Sequence, residues 1–342
     1  MSVKRRAKLS DVAERAGVSS VTVSRAIRHP EMVSEKLRRK IDQAVRKLNY
    51  IPNHLARALA STRTHIVGVV VPSLTNGVFD DYLSAIQDTF VPAGIMVLVS
   101  NVRYSVEEEE RAISTLLSYH PEALIVTGVD QTKRSLQLLK KSGIPIVQTM
   151  ELADKPVDLN IGLSHEKAGY AAVRYLYERG YRRISYLAAH LDHRARRRQA
   201  GYQRALDELG LRNEGLIALS QYSPTVHIGS TLFLEILNRV PDVDALFCSN
   251  DDLALGALFE CQRQGVRVPD DLAIVGFNNL EFSGSCVPSL TTVATGRSEM
   301  GTWAATCILE IIRGSGKRPR QKQIDLGFSI IERGSSRPLP RI

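Results

Sequence analysis

The 342-residue sequence has only four cysteines, Cys248, Cys261, Cys286 and Cys307, far apart and with no C-x-x-C pair. Neither a zinc site nor a disulfide framework is expected, and they read as buried thiols of a reducing compartment. No apolar run approaches the ~20 residues that span a bilayer. The start, Met1-Ser-Val-Lys-Arg-Arg-Ala-Lys-Leu-Ser10, is charged with no apolar stretch behind it. A cytoplasmic location with no membrane partner is therefore expected. Catalytic signatures are also missing. No G-x-G-x-x-G follows the first apolar run and no G-x-S-x-G or H-E-x-x-H occurs, while Gly314-Ser-Gly-Lys317 runs into Arg318 without phosphate-loop spacing. Of the eight histidines, the closest pair, His190 and His193, has no suitably spaced acidic or cysteine partner and reads as hydrogen-bonding imidazoles. No enzyme activity, metal or cofactor is expected.

What is present is an ordinary globular composition, 44% hydrophobic and 24% charged, which excludes a disordered or fibrous chain. At about 100–200 residues per domain the length suggests two or three domains. The net charge of +9 is unevenly spread: residues 1–65 hold 15 Lys and Arg against 5 Asp and Glu, and residues 66–342 hold 30 against 31. All the excess positive charge lies in the first fifth. A small basic module on a near-neutral body is the footprint of phosphate-backbone binding, with a solubilising or membrane-surface patch as the bland alternative.

Residues 1–51 read as three short helices: one capped by Ser10 and ending at Gly17, one capped by Ser19 and ended by His29-Pro30, and one from Ser34 carrying Leu37, Ile41, Val45 and Leu48 on one face. Residues 52–64 include Asn53-His-Leu-Ala-Arg-Ala-Leu-Ala-Ser61, a stretch so short that it is expected to be helical only when something orders it. From 65 to 342, apolar runs at Ile66–Val71, Ile95–Val99, Ala123–Thr127, Ile144–Gln148, Ile184–Ala188, Ala245–Cys248 and Leu272–Gly276 alternate with amphipathic stretches. This alternation predicts parallel sheets with helices on both faces. It is too long for one sheet. The expected fold is α/β: an all-α head, then two doubly wound subdomains dividing near 160–165, with a ligand cleft between them.

The most specific spacing is Ala13-x3-Gly17-x5-Val23: a small residue where two helices cross, a glycine in the tight turn and an apolar plug. These are the needs of a helix-turn-helix, for which a three-helix protein-binding module is the alternative.

The run Asp11-Val-Ala-x-x-Ala-Gly-Val-Ser-x-x-Thr-Val-Ser-Arg25, then Asn49-Tyr-Ile-Pro-Asn53 and Ala56-Arg-x-Leu59, resembles the LacI/GalR family of bacterial transcription regulators. The resemblance continues through Cys248-Ser-Asn-Asp-Asp-Leu-Ala-Leu-Gly256, Val268-Pro-Asp-Asp-Leu-Ala-Ile-Val-Gly-Phe277 and Pro288-Ser-Leu-Thr-Thr292, and so spans nearly the whole chain. Pro72-Ser-Leu-Thr-Asn-x-Val-Phe79, Leu191-Asp-x-Arg194, Phe259-Glu-Cys-Gln-Arg263 and Leu326-Gly-Phe328 are most similar to gluconate-utilisation repressors.

The resemblance implies a DNA-binding repressor that acts as a homodimer on a pseudo-palindromic operator and is released by a small molecule, gluconate or a related sugar acid. It makes the second helix the recognition helix, with Ser20, Val21 and Arg25 at base edges. Arg25 can donate two bonds to guanine, and Val21 makes only apolar contact. Ser19, Thr22 and Ser24 suit phosphate, Asn53 and Arg57 fall in the linker's DNA-contacting stretch, and Leu59 matches the family's minor-groove wedge. For the effector it implies Ser73, Phe79 and Thr127 from one lobe, and Asp192, Arg194, Arg198, Tyr222, Asp251 and Asn278 from the other. It also implies crossovers between the lobes near 290–330. A polyhydroxy acid needs a cation, donor–acceptor pairs and an aromatic face, and this set supplies each. Asn278 replaces the aspartate common in sugar-binding members, which removes repulsion toward an anion. The alternative is a cytoplasmic sugar-sensing or sugar-processing body with a basic tethering head.

Overall fold

In the computed structural model, which describes residues 7–51, 63–190, 192–211, 216–314 and 318–338, the chain divides after Thr64 into two units. Asn53, Arg57 and Leu59 lie outside the described residues. No helix among the described residues is long and apolar enough to cross a membrane.

The first unit holds α1 (Leu9–Ala16), α2 (Ser20–Arg28) and α3 (Glu35–Leu48) around Val12, Ala13, Ala16, Val23, Ala26, Ile41 and Ala44. Gly17 closes α1 at φ 62°, a left-handed position that glycine takes without a Cβ penalty. Ser19 caps α2 by accepting from the Thr22 amide at 3.1 Å. The cap of α1 differs from expectation. The helix begins two residues earlier, with Lys8 at the cap and Ser10 inside, because Asp11 reaches back to the Lys8 amide at 2.8 Å.

The second unit contains β1 (Ile66–Val71), α4 (Asp80–Phe90), β2 (Met96–Asn101), α5 (Val106–Ser118), β3 (Ala123–Thr127), α6 (Lys133–Lys141), β4 (Ile146–Thr149) and β5 (Leu159–Gly162). It continues with α7 (His165–Glu178), β6 (Ile184–Ala189), α8 (His193–Leu209), β7 (Ile217–Ser220), α9 (Val226–Arg239), β8 (Ala245–Cys248), α10 (Asp251–Gln264), β9 (Ala273–Asn278) and β10 (Thr291–Ala294). It closes with α11 (Arg297–Arg313), β11 (Gln323–Asp325) and β12 (Ser329–Ile331). The strands form two six-stranded sheets, ordered β11-β5-β4-β3-β1-β2 and β12-β10-β9-β8-β6-β7, parallel except for the β10–β12 pair. The fold is thus a helical head followed by two parallel-sheet α/β lobes.

Strands such as β1 and β3 are buried along their whole length, as helices covering both faces require. The chain passes between lobes three times, after β5, between β10 and α11, and between β11 and β12. Gly296 and Gly327, on the second and third passages, have φ of 58° and 66°. Helices α7 and α8 touch through glycine: a Cβ on Gly201 would lie 2.0 Å from the Glu166 carbonyl oxygen, and one on Gly169 2.3 Å from that of Arg198. Gly256 and Gly229 bring α9 and α10 equally close.

Candidate functional site

On the head, α2 presents Ser20, Val21, Ser24 and Arg25 along one open groove with Leu9, His29 and Met32. Val21 is 67% exposed, too much for a core residue, while Val23 two positions on is fully buried. Helical periodicity thus splits α2 into a face that holds the fold and a face left free. Ser19 and Thr22 serve the helix start, their hydroxyls 2.9 Å apart.

The second site is the cleft at the carboxyl ends of the strands, where doubly wound sheets place ligands. Phe79, Asn76 and Tyr104 line it from the first lobe, and Asp192, Arg194, Arg198, His190, Asn250 and Asn278 from the second. Asp192 caps α8 by accepting from the Ala195 amide at 2.8 Å and takes the Arg194 guanidinium at 2.7 Å. Burial opposes ionisation of Asp192, but Arg194, Arg198 and the Ala195 amide together hold its carboxyl well below the usual range. Arg194 is thereby neutralised.

Arg198 is not. It is buried, its guanidinium lies 4.5 Å over the Phe277 ring and one NH donates to His165 Nδ1 at 3.1 Å. Its Nε has no partner, and none of the ion pairs among the described residues includes it. Burial pushes its pKa down. A buried cation with an unspent Nε–H donor and no direct ion pair is suited to receive an anion.

Tyr104 receives a hydrogen bond from Asn76 at 3.1 Å and faces the His190 ring at 5.0 Å across the cleft. Beyond it lies a smaller compartment with Thr127, Glu109, Asp130 and His193. The Thr127 hydroxyl donates to the Val70 carbonyl at 3.1 Å. His193 has the acidic partner that its sequence neighbours did not offer: Glu151, 2.9 Å away from the other lobe. Burial raises the pKa of Glu151.

Phe79, Asp192, Arg194, Arg198 and Asn278 are therefore brought together, with Thr127 beside them. Three expected residues are elsewhere. The Ser73 hydroxyl accepts from the Thr75 and Asn76 amides, each at 3.1 Å, and shapes the loop that carries Asn76. Tyr222 is 65% exposed on a groove with Leu219 and Ile228. Asp251 is fully buried, accepting from the Leu280 amide at 2.7 Å and the Thr292 hydroxyl at 2.6 Å, so its carboxylate ties loops together and does not face the cleft. Sequence reasoning missed Asn76, Tyr104 and His165. Tyr104 follows the end of β2 and His165 opens the helix after the first crossover, so the carboxyl-end rule was the one signal that could have found them.

Residues 8–53 match the family described as "Bacterial regulatory proteins, lacI family", and residues 64–332 match "Periplasmic binding proteins and sugar binding domain of LacI family". The chain is 43% identical over 329 residues to the HTH-type transcriptional regulator GntR of Pseudomonas aeruginosa, covering 96% of this chain and 95% of that one. It is 37% identical to GntR of Escherichia coli, covering 97% and 99%. A LacI family regulator from Silicibacter pomeroyi superposes with a TM-score of 0.90 at 32% identity, covering 96% of this chain and 99% of that one. The lac repressor dimer bound to operator and an anti-inducer superposes with a TM-score of 0.82 at 28% identity, covering 97% and 99%. With nearly the whole chain matched, from the exposed face of α2 to the cleft, the protein belongs to the LacI family of bacterial regulators and is a DNA-binding transcription regulator, not an enzyme.

Proposed function

We propose that this chain represses genes for sugar-acid use and leaves its operator when gluconate or a close relative enters the cleft. The observation that carries the reading is Arg198, a buried guanidinium inside the cleft with an unpartnered Nε and no ion pair among the described residues. A neutral sugar leaves that guanidinium without a directly paired anion, whereas a carboxylate supplies one and gains charge-assisted bonds. Phe79 and Tyr104 offer aromatic faces for a carbon chain, and Asn76, Asn250 and Asn278 offer amide donors and acceptors for hydroxyls. The motifs shared with gluconate-utilisation repressors and the similarity to regulators named GntR point the same way.

In this reading residues 1–51 contact DNA, with Arg25 on guanine, Val21 on an apolar base edge, Ser20 at a base edge, and Ser19, Thr22 and Ser24 on phosphates. Residues 52–64 order on the operator, and Asn53, Arg57 and Leu59 act there. Residues 65–342 bind the effector and pair as a homodimer, which sets two heads on a pseudo-palindromic site. The effector acts by its differential affinity for two lobe arrangements. Operator affinity measured alone and with gluconate, gluconate 6-phosphate, 2-ketogluconate and neutral sugars tests this. Release by gluconate is expected; release by neutral sugars with no response to any acid would overturn the assignment.

A further inference from the structure

One ring holds the Arg198 guanidinium in place. His165 opens α7 directly after the first crossover; its Nδ1 accepts from Arg198 at 3.1 Å and its Nε2–H donates to the Met150 carbonyl at 3.0 Å. Only the neutral Nε2–H tautomer can do both, since a proton on Nδ1 would set donor against donor. The ring is buried, 5.7 Å from Phe277, the same ring that Arg198 covers. The charged groups around it are Arg198 and Arg194 of α8, Asp192 at its cap and, next to Met150, Glu151 paired with His193. Burial, then Arg198 and Arg194, keep its pKa well below the ordinary histidine value.

The two bonds end in different lobes. Arg198 lies on α8 of the second lobe, and Met150 directly follows β4 of the first. Met150 is itself fixed, at φ 74° with its amide 3.0 Å from the Met300 sulfur. The glycine contacts between α7 and α8 hold the two helix backbones close, so His165 and Arg198 start from adjoining turns. We infer that His165 is a positioning residue, which aims the Arg198 fork into the cleft and links it to the end of β4, so that a carboxylate drawn onto Arg198 acts on the first lobe as well. The carboxylate part rests on the sugar-acid reading; the aiming of Arg198 does not.

Two substitutions separate the bonds. Asparagine sets its Oδ1 where the imidazole carries Nδ1 but falls short of Met150, and glutamine sets its amide where Nε2–H lies but offers no acceptor to Arg198. In the full chain, calorimetry with gluconate should find His165→Asn within about threefold of the parent and His165→Gln weaker by about tenfold or more. Operator release by saturating gluconate should be blunted in His165→Asn, whose link to Met150 is cut. Ring 15N NMR of the ligand-free protein should show His165 as the neutral Nε2–H tautomer from about pH 5.5 to 8. Equal losses in both variants with lowered unfolding midpoints, no loss in either, or a ring that titrates near the ordinary value would overturn the inference. If the parent binds no gluconate, the sugar-acid reading fails and the ring tautomer alone decides whether His165 positions Arg198.

Discussion

Replacing Arg198 by methionine should move effector affinity and protein stability differently, and the structure sets the size of each effect. Methionine keeps much of the stem and removes the charge. What the native state loses is the guanidinium over Phe277 at 4.5 Å and the bond to His165 at 3.1 Å, about 1–2 kcal/mol and about 1 kcal/mol respectively. The His165 acceptor left behind adds about 1 kcal/mol more. What it gains is relief from a buried Nε with no partner, about 1–3 kcal/mol, and from the desolvation of a buried cation that no direct ion pair offsets. The terms nearly cancel, so the unfolding free energy of the effector unit should stay within about 2 kcal/mol of the parent. Gluconate binding has no such compensation: loss of a charge-assisted contact worth about 2–4 kcal/mol lowers affinity roughly 30- to 1,000-fold. Operator binding without effector should be unchanged. Urea unfolding and calorimetry on the same preparation read both effects. A fall in stability beyond about 3 kcal/mol would mean that Arg198 holds the fold, and unchanged gluconate affinity would remove it from the site.

Three further outcomes follow from particular contacts. Arg25→Ala should erode preference for the operator over random DNA by about 1–3 kcal/mol, because a bidentate guanine contact is sequence-dependent and phosphate contacts are not; equal weakening on both DNAs would move the recognition surface away from Arg25. Gly201→Ala and Gly256→Ala should each destabilise by about 1–3 kcal/mol, because in either case the new Cβ meets a carbonyl oxygen at 2.0 Å. Only Gly201→Ala should also weaken gluconate binding, since it separates α7 from α8. Burial pushes Glu109 up to about 7 from the ordinary 4.5, so the stability it contributes is complete below about pH 4.5 and is lost as pH rises through about 7. Glu109→Gln should therefore gain on the order of 3 kcal/mol over the parent at about pH 8 and nothing at about pH 4, measured by urea unfolding.

The lobes were legible where strands are continuous apolar runs, as at Ile66–Val71 and Ala123–Thr127, whose elements begin and end where those runs do. β10 was not, because Thr291-Thr-Val-Ala294 looks polar until its hydroxyls find partners: Thr291 bonds the Arg333 carbonyl and Thr292 the Asp251 carboxylate. β11 and β12 are three residues each and exist only because edges of the two sheets are open to receive them. In the cleft, sequence and resemblance named Arg198, but its holder His165 is 33 positions away and meets it only through the α7–α8 glycine contact. Asp251 misled in the opposite sense. The resemblance counted it among the effector contacts, and nothing in Asn250-Asp-Asp252 tells that the first aspartate turns inward to Leu280 and Thr292.

The three passages between lobes also order events during synthesis. The first lobe's sheet ends with β11, and its helix α4 is covered by α11, where a Cβ on Gly301 would lie 2.4 Å from the Tyr82 carbonyl oxygen. Both pieces are made after the whole parallel part of the second sheet, α11 beginning about 135 residues beyond β5 and β11 about 160. At about 5–20 residues per second, the ribosome holds the first lobe unfinished for about 8–30 seconds, its α4 face bare, while the lobe made second becomes the first able to close.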